Sequence, residues 1–377
     1  MNYREFGKTG KKVSVLGFGL MRLPVIAGDI SRIDEEKSLE MVQYAIENGV
    51  NYLDTAYPYH GGESENFTGK LWQHIKRDQV YIADKLPSWL IKEPGDLDKY
   101  LLEQLDKLHT ERIDFYLLHA LNARSWGNLK KNGALEWLAE KQKAGLIGHA
   151  GFSFHDKYEV FEDIMGSYDW EFCQIQYNYL DKGFQAGEKG LIIARNRGMG
   201  VIAMEPLRGG LLAKQPPADV QNVINSSEYT DSQVSLSLRW VWQQAGIGML
   251  LSGMSELEQV KENVKLASSE NLALSENEQN LVLQLEKAYK SRIKVPCTAC
   301  NYCMPCPQGV AIPSIFHFYN TASIFDDQAW GRKSYTFINE KNQADNYVQC
   351  GICETKCPQQ ISIMSALQQA DKFLRKA

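Results

Sequence analysis

Residues 34–85 read DEEKSLEMVQYAIENGVNYLDTAYPYHGGESENFTGKLWQHIKRDQVYIADK. In the opening stretch, Leu39, Val42 and Ile46 recur at the spacing of one helix face, Asp34 is placed to cap the first turn and Gly49 to stop the last. NYLDTA (51–56) and VYIADK (80–85) are short, apolar runs that end on polar residues, as strands do when they run out of a core. Strands separated by helical crossovers predict parallel pairing, because a parallel neighbour cannot be reached through a tight turn.

Working outward, the same alternation runs from residue 13 to about residue 270. Strand-like runs fall at VSVLGFG (13–19), RIDFYLLH (112–119), LIGHAGFS (146–153), FCQIQYN (172–178), GVIAMEPL (200–207) and IGMLLSGM (247–254), which with the two above makes eight. Helix-like segments at 96–109, 132–145 and 231–246 each open with an Asp or Asn in the capping position. Eight strand–helix alternations predict an α/β fold of the (β/α)8 TIM-barrel type, in which the sheet closes and has no edge. A doubly wound open sheet is the alternative, weakened by the lack of a G-x-G-x-x-G after the first strand. Residues 275–295 read as one more helix and a junction, so the barrel is assigned to residues 1–285 and a smaller domain to 286–377.

The chain has 377 residues, 44% hydrophobic and 23% charged, enough for one large barrel and a small appendage. Forty-one basic against 46 acidic residues leave a formal charge of −5, which argues against nucleic acid as a partner. The polar amino terminus, MNYREFGKTGKK, and the lack of a long apolar run predict a cytoplasmic protein with no membrane partner.

Chemistry in such a barrel sits at the carboxyl ends of the strands. Asp54 ends the second strand, Tyr59 lies in the loop after it, Lys85 ends the third and His119 the fourth. Singly, each has an ordinary use, a capping aspartate or a structural histidine; together at successive strand ends they form a candidate catalytic group. The stretches DTAYPYHGGESE, ADK and YLLH, over roughly residues 1–270, resemble the aldo-keto reductase superfamily. That resemblance implies a catalytic tetrad of Asp54, Tyr59, Lys85 and His119, a small-molecule carbonyl substrate and NAD(P)H. Tyr59 would donate the proton, its pKa lowered by a Lys85 ammonium that Asp54 holds, and His119 would orient the carbonyl. The resemblance also implies that Ser153 and Gln176 hold the nicotinamide carboxamide and that Tyr177 stacks on its ring. Pro206, Leu207, Gly209 and Gly210 would cradle the pyrophosphate, and Ser252, Gly253, Gln259, Glu262 and Asn263 the adenosine. Met254, Ser255 and Glu256 stand where NADP-preferring members carry Lys or Arg, which leaves NAD or another cofactor open beside NADP. Trp89 and Trp126 could wall a substrate pocket or simply pack, and Cys173 reads as a buried small hydrophobe.

Seven of the eight cysteines fall near the end, as C297-T-A-C300-N-Y-C303-M-P-C306-P and C350-G-I-C353-E-T-K-C357-P. The bacterial ferredoxin pattern is C-x2-C-x2-C-x3-C-P, given twice with crossed ligation. Crossing assigns Cys297, Cys300, Cys303 and Cys357 to one complete [4Fe–4S] cluster. Cys306, Cys350 and Cys353 form the other set, one ligand short, with Tyr347 where the missing cysteine would stand. That set could hold a [3Fe–4S] centre, a [4Fe–4S] centre with a non-cysteine ligand, or nothing; zinc is the alternative for the whole tail. CMPCPQGVAIP resembles an aldo-keto reductase branch with a carboxyl-terminal ferredoxin-like domain. The expected function is an oxidoreductase reducing a carbonyl and linked to Fe–S electron transfer, with a ferredoxin or flavoprotein as electron partner. The alternatives are an ordinary reductase with a structural Fe–S domain, and a redox-sensing or binding subunit built on a nucleotide-occupied barrel.

Overall fold

A computed structural model describes residues 1–375. A short antiparallel pair, β1 (Tyr3–Glu5) and β2 (Lys12–Ser14), precedes eight parallel strands: β3 (Leu16–Gly19), β4 (Tyr52–Asp54), β5 (Tyr81–Leu86), β6 (Ile113–Leu121), β7 (Ile147–Phe154), β8 (Phe172–Gln176), β9 (Gly200–Met204) and β10 (Ile247–Gly253). These eight close into a barrel in sequence order, with β10 pairing back to β3. All eight expected strands are present. The run VSVLGFG divides, however: Val13 and Ser14 pair with the amino-terminal strand, and only Leu16 onward joins the barrel.

Helices follow the strands along the chain: α1 (Glu35–Glu47), α2 (Glu63–Lys70), α3 (Gly95–Lys107), α4 (Ala123–Lys131), α5 (Ala134–Lys143), α6 (Tyr158–Ser167), α7 (Gly187–Asn196), α8 (Ala218–Asn225), α9 (Gln233–Trp242) and α10 (Leu257–Ala267). Of the expected caps, Asp34 does accept from the Lys37 amide. Asp96 instead lies inside α3 and accepts from the amides of Lys92 and Glu93. Asn132 ends α4 rather than starting α5, and Ser232, not Asp231, caps α9.

One face of every strand points into the barrel. Phe6, Tyr52, Ala83, Phe115, Leu117, Phe172, Ile202 and Met249 form a single buried cluster there. Phe6 fills the floor: a Cβ on Gly200 or Gly248 would stand 2.6–2.7 Å from its ring, so glycine is what lets it in. Because side chains alternate along a strand, interior residues Tyr52, Ala83, Leu117 and Phe172 put Asp54, Lys85, His119, Gln174 and Gln176 on the same interior face, toward the carboxyl end.

The chain separates into two compact units, Met1–Ala213 with Asp231–Ser275, and Lys214–Thr230 with Glu276–Ala377. Position 285 falls inside α11 (Glu276–Ser291), which pairs with α8 in the second unit. That unit continues through α12 (Ile312–Ile324), α13 (Gln328–Tyr335), α14 (Ile352–Thr355) and α15 (Ile363–Leu374), and has its own apolar core around Val310, Ile315, Phe316, Ile363 and Leu367. No helix among the described residues is long and apolar enough to cross a membrane.

Candidate functional site

The parallel register of β4 and β5, with Asp54 opposite Ala83, brings Asp54 beside Lys85. The Lys85 ammonium donates to Asp54 Oδ1 at 2.7 Å, to the Thr55 carbonyl at 2.7 Å and to Tyr59 Oη at 3.2 Å. Tyr59 opens a tight turn that Gly61 and Gly62 carry through positive φ, which folds its ring back over the strand ends. His119 lies on β6 where the register to β7 breaks; its ring centroid is 6.2 Å from that of Tyr59 and its Nδ1 is buried without a partner. The next residue, Ala120, has a positive φ of 50°, and its amide donates to Ser153 Oγ at 2.7 Å, so Ser153 holds the backbone that aims the histidine. The structure thus gathers all four expected catalytic residues at one place.

Their electrostatics differ from expectation at one point. Burial pushes the Tyr59 phenol up, and the Lys85 charge that pulls it back does not overcome this. Burial would pull Lys85 down, but Asp54 and Tyr59 more than offset it, so the ammonium is held above its ordinary range. Burial likewise pushes the Asp54 carboxyl up against the pull of Lys85. With three acceptors around Nζ, the Asp54–Lys85 pair is charged on both sides. Burial first, then the Lys85 charge and His155, drive His119 well below its ordinary value, so its imidazole is neutral.

A second buried layer backs the site. Asp84 Oδ1 accepts from the Lys85 amide at 2.8 Å, and burial, then the adjacent Glu65, push its carboxyl well above the usual carboxylate range. Glu65 accepts from Gln104 at 2.9 Å and Lys107 at 3.1 Å, and Tyr116 donates to Gln104 at 2.6 Å. Neither Asp84 nor Glu65 stood out in the sequence; their signal, a carboxyl beside a catalytic position, has no meaning until burial is known.

The cofactor-binding expectations separate into those at the mouth and those away from it. Gln176 faces inward and donates to Asp181 at 3.2 Å, and Asp181 in turn pairs with Arg208 at 3.1 Å, tying β8 to the loop after β9. Gln174, two residues earlier on the same face, was missed; its buried Oε1 has no partner. Tyr177 is 1% exposed, and its ring stacks on Trp240 of α9 at 5.5 Å between centroids. After Pro206 and Leu207, Gly209 and Gly210 take φ of 67° and 92°, and no atom lies within 4 Å of a Cβ built on Gly210, so this backbone is open to an approaching group. Arg22 is the other residue missed: its guanidinium is 3.5 Å from where a Cβ on Gly209 would stand, and its stem 3.0 Å from the same point on Gly253. A cation thus spans the two segments expected to hold a dinucleotide. Beyond β10, Ser252 accepts from Asn263 at 3.0 Å, Gln259 accepts from the Ser255 amide at 2.9 Å, and Glu262 accepts from Ser232 at 2.8 Å. These bonds fix the turn into α10. An unpartnered interior amide oxygen as acceptor, with open glycine backbone and a flanking guanidinium as donors, fits a nicotinamide dinucleotide.

Trp89 is about half exposed and its ring centroid lies 5.1 Å from that of His119, which makes it a wall of the mouth. Trp126 is not: it is buried and donates to Asp163 at 2.7 Å. Cys173 is buried, and burial pushes its thiol far up, as expected of an unreactive cysteine.

In the second unit, Cys297, Cys300, Cys303 and Cys357 line one cavity, walled by Ile312, Pro313, Phe316, Ile361 and Ile363. Among the described residues no three His, Cys, Asp or Glu side chains converge as ligands of a single ion do. Four thiols from two motifs around an apolar cavity fit a [4Fe–4S] cluster better than a zinc. Cys306 and Cys353 are buried in the apolar core that Cys297, Cys303 and Cys357 also pack against, and Cys350 is exposed.

Comparison with known proteins finds two families along the chain. Residues 15–286 match the sequence model of the aldo/keto reductase family and residues 296–362 that of a 4Fe-4S dicluster domain. An L-galactose dehydrogenase of Arabidopsis thaliana is 27% identical over 285 residues, 69% of this chain and 86% of that protein. An NADH-specific methylglyoxal reductase of Escherichia coli is 24% identical over 328 residues, 75% of this chain and 97% of that protein. In fold, the chain is similar to the holo form of an aldo-keto reductase of Bacillus halodurans, with a TM-score of 0.64 at 24% identity over 76% of this chain and 96% of that one. Its barrel places this chain in the aldo/keto reductase family, to which a carboxyl-terminal 4Fe-4S domain has been joined.

Proposed function

We propose that the barrel reduces a small carbonyl compound with NADH or NADPH, and that Tyr59 supplies the proton. The observation that carries this is the Lys85 ammonium, which touches Asp54, the Thr55 carbonyl and Tyr59 Oη together, facing an imidazole whose Nδ1 is bare. When bound, the nicotinamide supplies a hydride to the carbonyl carbon. The protein's own part is to handle the charge that this leaves on oxygen. Tyr59 Oη donates the proton, and the Lys85 ammonium beside it stabilises the phenolate that remains. Asp54 keeps that ammonium charged and fixed. His119, neutral, offers an N–H to the carbonyl oxygen without competing for the proton. Trp89 shields the mouth from water. Gln174, Gln176, Ser153, Gly209, Gly210 and Arg22 are the residues that would hold the dinucleotide.

The relatives act on a sugar and on methylglyoxal by their names, and one is named for NADH, which supports a carbonyl–alcohol couple and keeps NADH beside NADPH. In the second unit the four-cysteine cluster is an electron site with a ferredoxin or flavoprotein as its partner, since a cluster moves one electron at a time and a hydride carries two. Absorbance near 400 nm during addition of NADH tests any link between the units, and bleaching establishes it. For the barrel, Tyr59→Phe is expected to lower kcat by on the order of 10²–10⁴-fold across a panel of aldehydes and ketones while dinucleotide affinity stays unchanged. Turnover that survives this change removes Tyr59 from the proton-donating role.

A further inference from the structure

The second cysteine set is incomplete where the structure puts a bulky aromatic. Counting back from Cys350 by the ferredoxin spacing lands on Tyr347. The Tyr347 hydroxyl lies 3.5 Å from Cys353 Sγ, a hydrogen bond between a phenol and a thiol. Its ring packs against the apolar core that also contains Cys306 and Cys353. Two features of this contact oppose a cluster. Ligands on different irons of a cubane are held apart by the width of the iron–sulfide core, so an oxygen in hydrogen-bonding contact with the Cys353 sulfur is not spaced to sit on a neighbouring iron. A phenol also reaches much farther from the backbone than a thiol at the same position, so the ring occupies room that a cysteine would leave for inorganic sulfide. The contrast with Cys297, Cys300, Cys303 and Cys357, which surround a cavity, lies within one domain.

We propose that this domain, although matched by a dicluster family, holds a single [4Fe–4S] cluster on Cys297, Cys300, Cys303 and Cys357, and that Tyr347 closes the second position and leaves Cys306, Cys350 and Cys353 as thiols. The proposal rests on reading the first set as a cluster site. It makes the domain a one-electron site with no second cluster to relay through.

The test is iron and acid-labile sulfide on the full chain, purified and reconstituted without oxygen, with maleimide labelling of the native protein mapped by mass spectrometry. The expected content is about four irons and about four sulfides per chain. Exposed Cys350 takes the label while the iron stays in place. Cys350→Ser leaves the iron unchanged, Cys357→Ser removes it, and Tyr347→Cys raises it to about eight. Wild-type iron near seven or eight, or a loss of iron in Cys350→Ser, overturns the proposal, and the serine variants decide it even if Tyr347→Cys does not fold. Tyr347→Cys that folds and stays near four overturns the part given to Tyr347. A wild-type chain that takes up no iron overturns the cluster reading itself, and with it the inference.

Discussion

At the scale of single residues, the site is an ion pair and an imidazole held out of water. Removing one member of a buried pair leaves the other charge without compensation, so Lys85→Met is expected to destabilise the fold by about 3–5 kcal/mol in chemical denaturation, and Asp54→Asn added to it to restore most of that loss. His119 makes a pH prediction. Its folded pKa lies well below the unfolded value because burial, then Lys85 and His155, disfavour the imidazolium. Below about pH 6.5 the unfolded chain binds a proton that the folded chain refuses, so the contribution is whole above that pH and lost as pH falls, by up to about 1.4 kcal/mol per unit. Thermal melts from pH 7.5 to 5 should show a slope that is shallower in His119→Gln; equal slopes contradict a neutral buried His119. The sequence was enough to pick out Asp54, Tyr59, Lys85 and His119, because strand ends are readable from patterning and a barrel makes strand ends meet. It was not enough for the direction of the Tyr59 shift, since a nearby lysine is visible in a sequence and the depth of burial is not. Gln174 and Arg22 escaped for a related reason: each gains its meaning from burial or from neighbours distant in sequence.

At the scale of elements, the barrel depends on which residues fill its interior. Strand positions were legible because each run is short, apolar and bounded by polar residues. Caps were less so, since Asp and Asn serve turns as readily as helix starts, and Asp96 and Asn132 took those other uses. Part of β2 was hidden inside what reads as the first strand and β1 was not read at all, and with them the role of Phe6 was missed. Phe6 is fully buried, touches the ring of Phe115 edge-on at 5.5 Å between centroids, and occupies space made by Gly200 and Gly248. Phe6→Ala is expected to cost about 3–5 kcal/mol in a denaturation midpoint with unchanged KM for substrate, because the floor is remote from the strand ends where Lys85 and Tyr59 lie. A change of KM with little loss of stability would instead place Phe6 in the site.

At the scale of the whole molecule, two compact units hold the two candidate sites. The candidate catalytic residues and the segments proposed for a dinucleotide all belong to the first, and the four cysteines that share a cavity to the second. The cysteine tail was legible as a metal domain because its spacing is set by ligand geometry, whereas α8 joining the second unit was not, since nothing in residues 214–230 marks them apart from the other barrel connections. The central claim is hydride transfer to a carbonyl in the first unit. Its most direct test is incubation of the anaerobic full-length protein with NADH and NADPH deuterated at C4 of the nicotinamide, in separate runs for each face, across a panel of aldehydes and ketones. The account predicts deuterium on the carbinol carbon of the product from one face only, abolished in Tyr59→Phe. Dinucleotide binding with no deuterium in any product would contradict it and favour a barrel that only holds the nucleotide.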